Sequence, residues 1–195
     1  MHEKNISMRA APITPEEAQK LWNEYRSGDM YALANIMQSY YVDLFHWGLR
    51  LNPEHEFIKD CIQDVFVKLW KIHETVNSVA NIRAYLMMVL KSRIIKELSK
   101  KHVTHQFGLT NDYAFSVEFS SDLRMIHEEH EIYKTRKLER ILNGLSERQR
   151  EVIYLKYYQA LSYDEIAEMM QLNRQSVYNL IQKSLGNLRK QYDLS

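Results

Sequence analysis

The chain of 195 residues is 45% hydrophobic and 26% charged, with a mean hydropathy of −0.47, which is typical of a folded protein that dissolves in water. No apolar run approaches the roughly 18 residues of a membrane-spanning helix, and the opening segment MHEKNISMRAAPIT lacks the apolar stretch of a secretory signal. The single cysteine, Cys61, excludes an internal disulfide and falls within an apolar helical pattern, so we expect a buried thiol. These features favour the cytosol.

Helical periodicity dominates the first half of the chain, and the 5 glycines and 3 prolines are too few for a turn-rich β protein. A capping box of Thr14 and Glu17 opens the first helix, and Asp29 and Asn81 are suited to cap the second and the fourth. The predicted helices run from Pro15 to about Ser27, from Met30 to about Leu51, from Pro53 to Ile72 and from Asn81 to about Lys101. Together they predict one compact all-α domain over residues 14–101.

The segment that follows has no clear period, and the longer range Val103–Tyr133 holds six acidic residues against one base, Arg124. We interpret residues 102–121 as a flexible acidic linker, because a structureless stretch of this length inside one compact domain is uncommon. A second helical domain is then expected over residues 122–195. Its first helix carries apolar residues at helical spacing, including Ile126 and Leu138, and ends near Gly144.

The C-terminal stretch, Leu145–Gln191, contains two helix starts with capping boxes. Ser146 with Gln149 forms the first, and Ser162 with Glu165 forms the second, each just before an apolar-periodic run. A short break then separates the second run from a last helix. Two short helices joined by a tight turn are typical of a helix-turn-helix.

The last helix of this stretch can be capped by Asn173, and it keeps polar and basic side chains away from its apolar stripe. No acidic residue occurs between Arg174 and Gln191. Such side chains can reach phosphates and base edges, although a helical hairpin with a solvated basic face would have the same pattern. The candidate DNA contacts are Arg174, Gln175, Ser176, Tyr178, Asn179, Gln182 and Lys183.

The fourth predicted helix is also basic, with five Lys or Arg against one Glu between Lys91 and His102. Tyr85 lies on it as either a core or a stacking residue. A protein can hold an unstacked DNA base when its cations neutralise the DNA backbone and its polar groups hydrogen-bond the base edge. The alternative is that this basic stretch is part of an ordinary mixed-charge surface. The candidate contacts are Asn77, Ser78, Asn81, Arg83, Lys91, Arg93, Lys96 and Lys100.

The third predicted helix has a paired-acid face. Asp60 and Asp64 are four residues apart and share a face, and Gln63 and Lys68 also lie off the apolar stripe. This face can bind a basic helix of a larger partner, whereas a solvated face that aids solubility is the alternative. Paired carboxylates also serve hydrolysis, but the sequence supplies no pocket for that chemistry.

Three stretches together resemble the sigma factors of bacterial RNA polymerase, of the compact extracytoplasmic-function type in the sigma-70 family. Phe57–Lys71, FIKDCIQDVFVKLWK, is similar to the segment that grips the polymerase clamp helices. Ser78–Lys101, SVANIRAYLMMVLKSRIIKELSKK, resembles the helix that recognises and melts the minus-10 element. Leu145–Gln191 is similar to the domain that reads the minus-35 element.

The resemblance implies a subunit that binds core RNA polymerase and promoter DNA, and that directs initiation at specific promoters without catalysing a reaction. It assigns the loop Glu74–Ala80 to the capture of a flipped non-template base. The linker would thread toward the polymerase active-site cleft, although a simple disordered tether would have the same composition. An anti-sigma factor is an expected partner, and the bacterial cytoplasm is the expected location.

Neither a cofactor nor a metal is expected. His127 and His130 are three residues apart on a predicted helix, but they have no cysteine partner and no HExxH motif. A ligand-controlled regulator would require a sensor domain, and an enzyme acting on nucleic acid would require a cluster with metal-ligand spacing. Neither alternative explains the two basic patches and the paired-acid face together.

Overall fold

A computed structural model describes residues 13–102, 115–116 and 137–193. The chain divides into two units, Met1–Asn111 and Asp112–Ser195. Across the described ranges the regular structure is helical and contains no strand, which confirms the predicted all-α class. None of the helices in these ranges is long and apolar enough to cross a membrane.

The first unit packs around α2 (Met30–Leu51), which contacts α1 (Pro15–Arg26), α3 (His55–Lys71) and α4 (Ile82–His102). Their apolar stripes meet in one core. The largest fully buried side chains of this core are Trp22, Trp47, Tyr25, Ile36, Leu44, Leu51, Ile58, Ile62, Leu69, Leu86 and Met87. Cys61 is buried with them, as predicted, and this burial raises the pKa of its thiol to about 11.

The helix starts of this unit follow their capping residues. Thr14 Oγ1 accepts the N–H of Glu17 at 3.2 Å, and Glu17 Oε2 accepts the N–H of Thr14 at 3.0 Å. The caps predicted for α2 and α4 also form. However, α3 begins two residues beyond Pro53, because Asn52 Oδ1 accepts the N–H of Glu54 at 2.9 Å and holds that turn outside the helix.

Gly48 allows α2 and α3 to approach closely. A Cβ atom at this position would lie 2.6 Å from Ile58 Cγ2, so a larger residue would force the two helices apart. The close packing fixes which side of α3 is buried. The opposite side, which carries the paired-acid face, is left toward solvent.

The second unit, in its described part, contains helical residues 137–143 (α5), α6 (Glu147–Ile153), α7 (Tyr163–Met170) and α8 (Arg174–Asp193). The last of these packs against both α6 and α7. The core of this unit therefore lies between α8 and the two helices that it crosses.

Of the helix predicted to begin near Asp122, residues 137–143 are described and helical, and Ile126 lies outside the described residues. Leu138 was expected on the apolar face of this helix but is 48% exposed. Ile141 and Leu142 are buried and provide the contact of α5 with the core.

α6 continues without a break into a π-helical turn, Tyr154–Tyr158. The N–H of Gln159 bonds to the carbonyl of Tyr154 at 3.0 Å, and the rings of Tyr154 and Tyr158 stack with centroids 4.9 Å apart. The side chain of Gln159 also donates to the Tyr154 hydroxyl at 2.7 Å. The sequence did not predict this widened turn, because caps and periodicity are signals of the α-helix.

Arg150 of α6 hydrogen-bonds three backbone carbonyls in two separate segments of the chain. Its guanidinium donates to the carbonyls of Phe115 at 2.6 Å, Leu145 at 3.0 Å and Asn143 at 3.3 Å. The side chain of Phe115 is fully buried, with its ring 5.5 Å from that of Tyr154. Phe115 falls in the range predicted to be a flexible linker, but these contacts hold it in the second unit; the residues between 103 and 114 lie outside the described part.

We predict that Phe115→Ala destabilises the second unit by about 3 kcal/mol, because a fully buried ring is replaced by a cavity. All three tryptophans, Trp22, Trp47 and Trp70, belong to the first unit, so their fluorescence reports the unfolding of that unit. In Phe115→Ala, part of the urea unfolding followed by far-UV circular dichroism should move to lower urea concentration. The transition followed by tryptophan fluorescence should not move. The exposed Leu138→Ala is the control, with a loss below about 1 kcal/mol. Equal shifts for the two variants would contradict the packing of Phe115.

Candidate nucleic-acid interface

The helix-turn-helix of the second unit consists of α7, a short turn and α8, and the backbone geometry of the turn ends the first helix and begins the second. α7 ends where Gln171 adopts a left-handed conformation with φ of 53°, and the N–H of Leu172 bonds back to the Ala167 carbonyl at 2.9 Å. Asn173 Oδ1 then accepts the N–H of Ser176 at 2.7 Å and caps α8, as predicted. The capping box predicted at the start of α7 is also present. The turn and its caps confirm the predicted helix-turn-helix.

α8 separates a buried face from a polar one. Val177 and Ile181 are fully buried, and so is Ser184, whose Oγ donates to the Leu180 carbonyl at 2.6 Å. The burial of Ser184 was not expected, because a polar residue carries no apolar signal. Most of the predicted DNA contacts of this helix are exposed together, namely Arg174, Gln175, Tyr178, Asn179, Gln182 and Lys183. Ser176 is half-buried beside them.

The six exposed predicted contacts, here called the exposed row on α8, make weak contacts with other side chains. Arg174 pairs with Asp164 of α7 at 3.3 Å, and their side chains are 69% and 70% exposed. Gln175 donates to Asn179 Oδ1 at 3.1 Å. Exposed ion pairs contribute little free energy, so a DNA phosphate or base edge can replace these contacts at low cost.

The paired-acid face of α3 is on the surface of the first unit. Asp60, Gln63, Asp64 and Lys68 are all exposed, while the apolar side of the helix packs into the core. The structure therefore brings these four predicted partner-binding residues onto one side of a helix.

Arg93 of α4 links this face to the basic residues of the same unit. It forms ion pairs with Asp64 and, at 2.9 Å, with Glu97, and its side chain is 30% exposed. Lys100 also pairs with Glu97 at 2.8 Å, and Arg83 pairs with a carboxylate of α2 at 3.1 Å. These three predicted phosphate contacts lie at the surface within ion pairs, which a phosphate can exchange for its own charge.

Lys91 is 6% exposed, so it does not lie at the surface with the other predicted DNA contacts of α4. On α4 it lies four residues after Met87 and three before Ile94, both of which are buried. Its position therefore falls on the buried stripe of the helix. The charge of Lys91 suggested a surface position, but its spacing from the buried residues of α4 places it in the core. Lys96, in contrast, is exposed.

The connection between α3 and α4 presents polar side chains to solvent. Asn77, Ser78 and Asn81 are exposed, and Val76 is buried beneath them. Asn81 Oδ1 accepts the N–H of Ala84 at 3.1 Å and so caps α4 as predicted. The aliphatic side chain anchors this loop while its polar side chains remain accessible.

Tyr85 belongs to the edge of the core. It is half-buried and meets the ring of Trp22 edge-on, with centroids 5.4 Å apart and an interplanar angle of 73°. Burial raises the pKa of its hydroxyl. The sequence left its role open between core and base stacking, and the contact with Trp22 favours the core.

Sequence reasoning missed the contribution of α1 to the loop. Trp22, Tyr25 and Arg26 donate hydrogen bonds to backbone carbonyls between residues 69 and 77. Their spacing shows that they share one helix face, but it gives no indication that their polar atoms reach another segment.

Among the described residues, no group of three or more His, Cys, Asp or Glu side chains is placed to hold a metal ion. His127 and His130 lie outside those residues.

Two models of one protein family match the chain. Residues 36–103 match region 2 of sigma-70, and residues 135–188 match region 4 of sigma-70. The first range contains the paired-acid face, the loop and α4. The second contains the helix-turn-helix.

Curated and solved relatives agree with this match. The RNA polymerase sigma factor YlaC of Bacillus subtilis (strain 168) is 23% identical over 159 residues, which cover 82% of this chain and 91% of that protein. The structure of CnrH in complex with the cytosolic domain of CnrY matches with a TM-score of 0.59 at 17% identity, covering 91% of this chain and 98% of that one. The sigma factor RpoE in complex with the anti-sigma factor NepR from Bartonella quintana matches with a TM-score of 0.56 at 19% identity, covering 83% and 98%.

The chain therefore belongs to the sigma-70 family of RNA polymerase sigma factors, of the extracytoplasmic-function type. It is a promoter-specificity subunit, which binds core RNA polymerase and directs transcription initiation at specific promoters.

Proposed function

We propose that this sigma factor contacts its promoter through two surfaces, one on each unit, and contacts the polymerase through α3. Residues 14–101 carry polymerase binding and minus-10 recognition, and residues 122–195 carry minus-35 recognition. The observation that supports this division most strongly is the exposed, acid-free row on α8, the second helix of the helix-turn-helix.

The proposed minus-35 surface consists of the exposed row on α8 defined above, with Ser176 at its edge. A helix that enters the major groove contacts bases through its first turns. Arg174, Gln175 and Asn179 can form paired hydrogen bonds to base edges, and Lys183, about one turn further, can contact a phosphate. α8 itself carries no acidic residue before Asp193 that would repel DNA, and the nearby Asp164 of α7 is paired with Arg174.

The proposed polymerase surface is the paired-acid face of α3, Asp60, Gln63, Asp64 and Lys68. Two carboxylates one turn apart fit a basic helix. Asp64 is already paired with Arg93, so binding of a polymerase cation to Asp64 would weaken that pair. We propose that Arg93 is then available to the minus-10 DNA.

The proposed minus-10 surface combines the loop Glu74–Ala80 with the cations of α4. Asn77 and Ser78 supply exposed donors and acceptors for an unstacked base. The adjacent phosphates would be neutralised by exposed or half-exposed cations of α4 and could accept a hydrogen bond from the amide of its cap residue. This group consists of Asn81, Arg83, Arg93, Lys96 and Lys100.

We further propose that an anti-sigma protein holds the chain inactive. Support comes from the solved relatives, since RpoE is bound to the anti-sigma factor NepR and CnrH to the cytosolic domain of CnrY. The chain itself catalyses no reaction in this proposal, and it acts in the bacterial cytoplasm, where core polymerase and promoter DNA are found.

Asp60→Ala and Asp64→Ala are each expected to weaken binding to core RNA polymerase by about tenfold, since each removes one charged partner of the proposed helix contact. Affinity is measured by titrating labelled chain with core polymerase of the same organism. Glu24→Ala on α1 is the control, because it removes the same charge from a half-exposed position of the first unit. Affinities equal to that of the control would refute the α3 assignment.

Lys183→Ala is expected to weaken promoter binding by the polymerase holoenzyme and to lower the slope of log affinity against log salt by about one, the effect of losing one phosphate contact. Lys20→Ala makes the same charge change on a side chain that is 77% exposed in the first unit. An unchanged slope for Lys183→Ala, or the same change for Lys20→Ala, would remove Lys183 from the DNA surface.

A further inference from the structure

The loop after α3 is tied to α1 by hydrogen bonds from three side chains. Trp22 Nε1 donates to the Asn77 carbonyl at 3.2 Å, and Arg26 Nε donates to the Val76 carbonyl at 2.8 Å. Gln19 Nε2 lies 3.5 Å from Ser78 Oγ. The match to sigma-70 region 2 begins at residue 36, so α1 lies before it.

These three donors follow one line along α1. Gln19, Trp22 and Arg26 are separated by three and four residues and therefore share a face. Their acceptors descend from residue 78 through 77 to 76, so the loop runs antiparallel to the helix. Tyr25, beside them, donates its hydroxyl to the Leu69 carbonyl at 2.7 Å and holds the last turn of α3 in the same way.

Trp22 is the most constrained of these donors. It is fully buried, with its ring 5.0 Å from Tyr25 and 5.4 Å from Tyr85 of α4. Its indole N–H is therefore fixed relative to both α1 and α4. A carbonyl bonded to a group this rigid has little freedom to move.

The hydrogen bonds fix the backbone and leave the side chains of the loop accessible. The carbonyls of Val76 and Asn77 have no partner in a helix ladder, and α1 supplies their donors. Val76 is 7% exposed and anchors the loop from below, while Asn77 and Ser78 are exposed. A binding group held in place before its ligand arrives loses less freedom on binding.

We infer that Trp22 and Arg26 are positioning residues for promoter-base selection. They set the backbone of the loop Glu74–Ala80, and through it they determine how strongly one base is preferred at the minus-10 position that this loop contacts. The inference rests on the proposed function, in which the side chains of Asn77 and Ser78 contact an unstacked base.

The first test compares two tryptophans that are alike in environment. Trp22 and Trp47 are both fully buried, and each donates its indole N–H to a backbone carbonyl at 3.2 Å, but the acceptor of Trp47 is Met87 within α4. Trp22→Phe and Trp47→Phe each keep an aromatic ring and remove the N–H. Core polymerase carrying each variant is offered a promoter library randomised at the minus-35 and minus-10 elements. Base preference is measured at every position by sequencing the transcribed templates.

Trp22→Phe is expected to reduce the preference at one minus-10 position by about fivefold, the effect of losing one hydrogen bond. Trp47→Phe is expected to keep the preference at every position, even where total transcription falls. Equal preference profiles for the two variants would overturn the inference.

The second test changes Arg26, which is not an aromatic core residue, so it can be carried out even if Trp22→Phe fails to fold. Gln carries its Nε2 at the same distance along the side chain as Arg carries Nε, so Arg26→Gln retains the donor and removes the charge. Arg26→Met has a similar length and removes both. We expect Arg26→Met to lose the base preference and Arg26→Gln to retain it. The same loss in both variants would show that the charge acts rather than the hydrogen bond, and would overturn the assignment of Arg26.

The same library separates this inference from the function on which it rests. Asn77→Ala and Ser78→Ala are expected to abolish the preference at the same single position. If they change no position, the proposed role of the loop fails. If they change that position and neither Trp22→Phe nor Arg26→Met does, the loop contacts the base and the positioning role of α1 fails alone.

Discussion

Backbone carbonyls beyond the end of a helix need hydrogen-bond donors from elsewhere in the chain, and irregular segments in both units of this protein receive them from long side chains. In the first unit, Trp22 and Arg26 supply donors to the loop that follows α3. In the second unit, the guanidinium of Arg150 binds carbonyls at the end of α5 and at Phe115. Long side chains on neighbouring helices thus give irregular segments a fixed conformation, which allows small helical units to present ordered binding groups.

The contacts between helices also decide which charges remain available. Because Gly48 lets α3 pack tightly on α2, the paired-acid face points to solvent. Because Val177, Ile181 and Ser184 are buried, the opposite side of α8 carries its polar residues outward. Most cations of α4 are paired with carboxylates, so DNA would have to exchange these ion pairs in the first unit. In the second unit, the polar row on α8 contains no acidic residue before Asp193.

Local chemistry made much of this structure predictable from the sequence. The capping boxes at Thr14, Ser146 and Ser162 depend on residues three positions apart, and all three form. The features that the sequence did not indicate depend on packing between distant residues. Lys91 is buried because of its helical phase against the core, and Phe115 is held by Arg150, 35 positions later in the chain. The role of Trp22 was hidden for the same reason, since its acceptor is 55 positions away.

The most direct test of the account is to map transcription start sites on genomic DNA of the source bacterium, using purified core polymerase with and without this chain. The account predicts a discrete set of start sites that require the chain and share two sequence elements, near minus-35 and minus-10, at a constant spacing. An absence of chain-dependent start sites, or a set of such sites without the two shared elements, would contradict it.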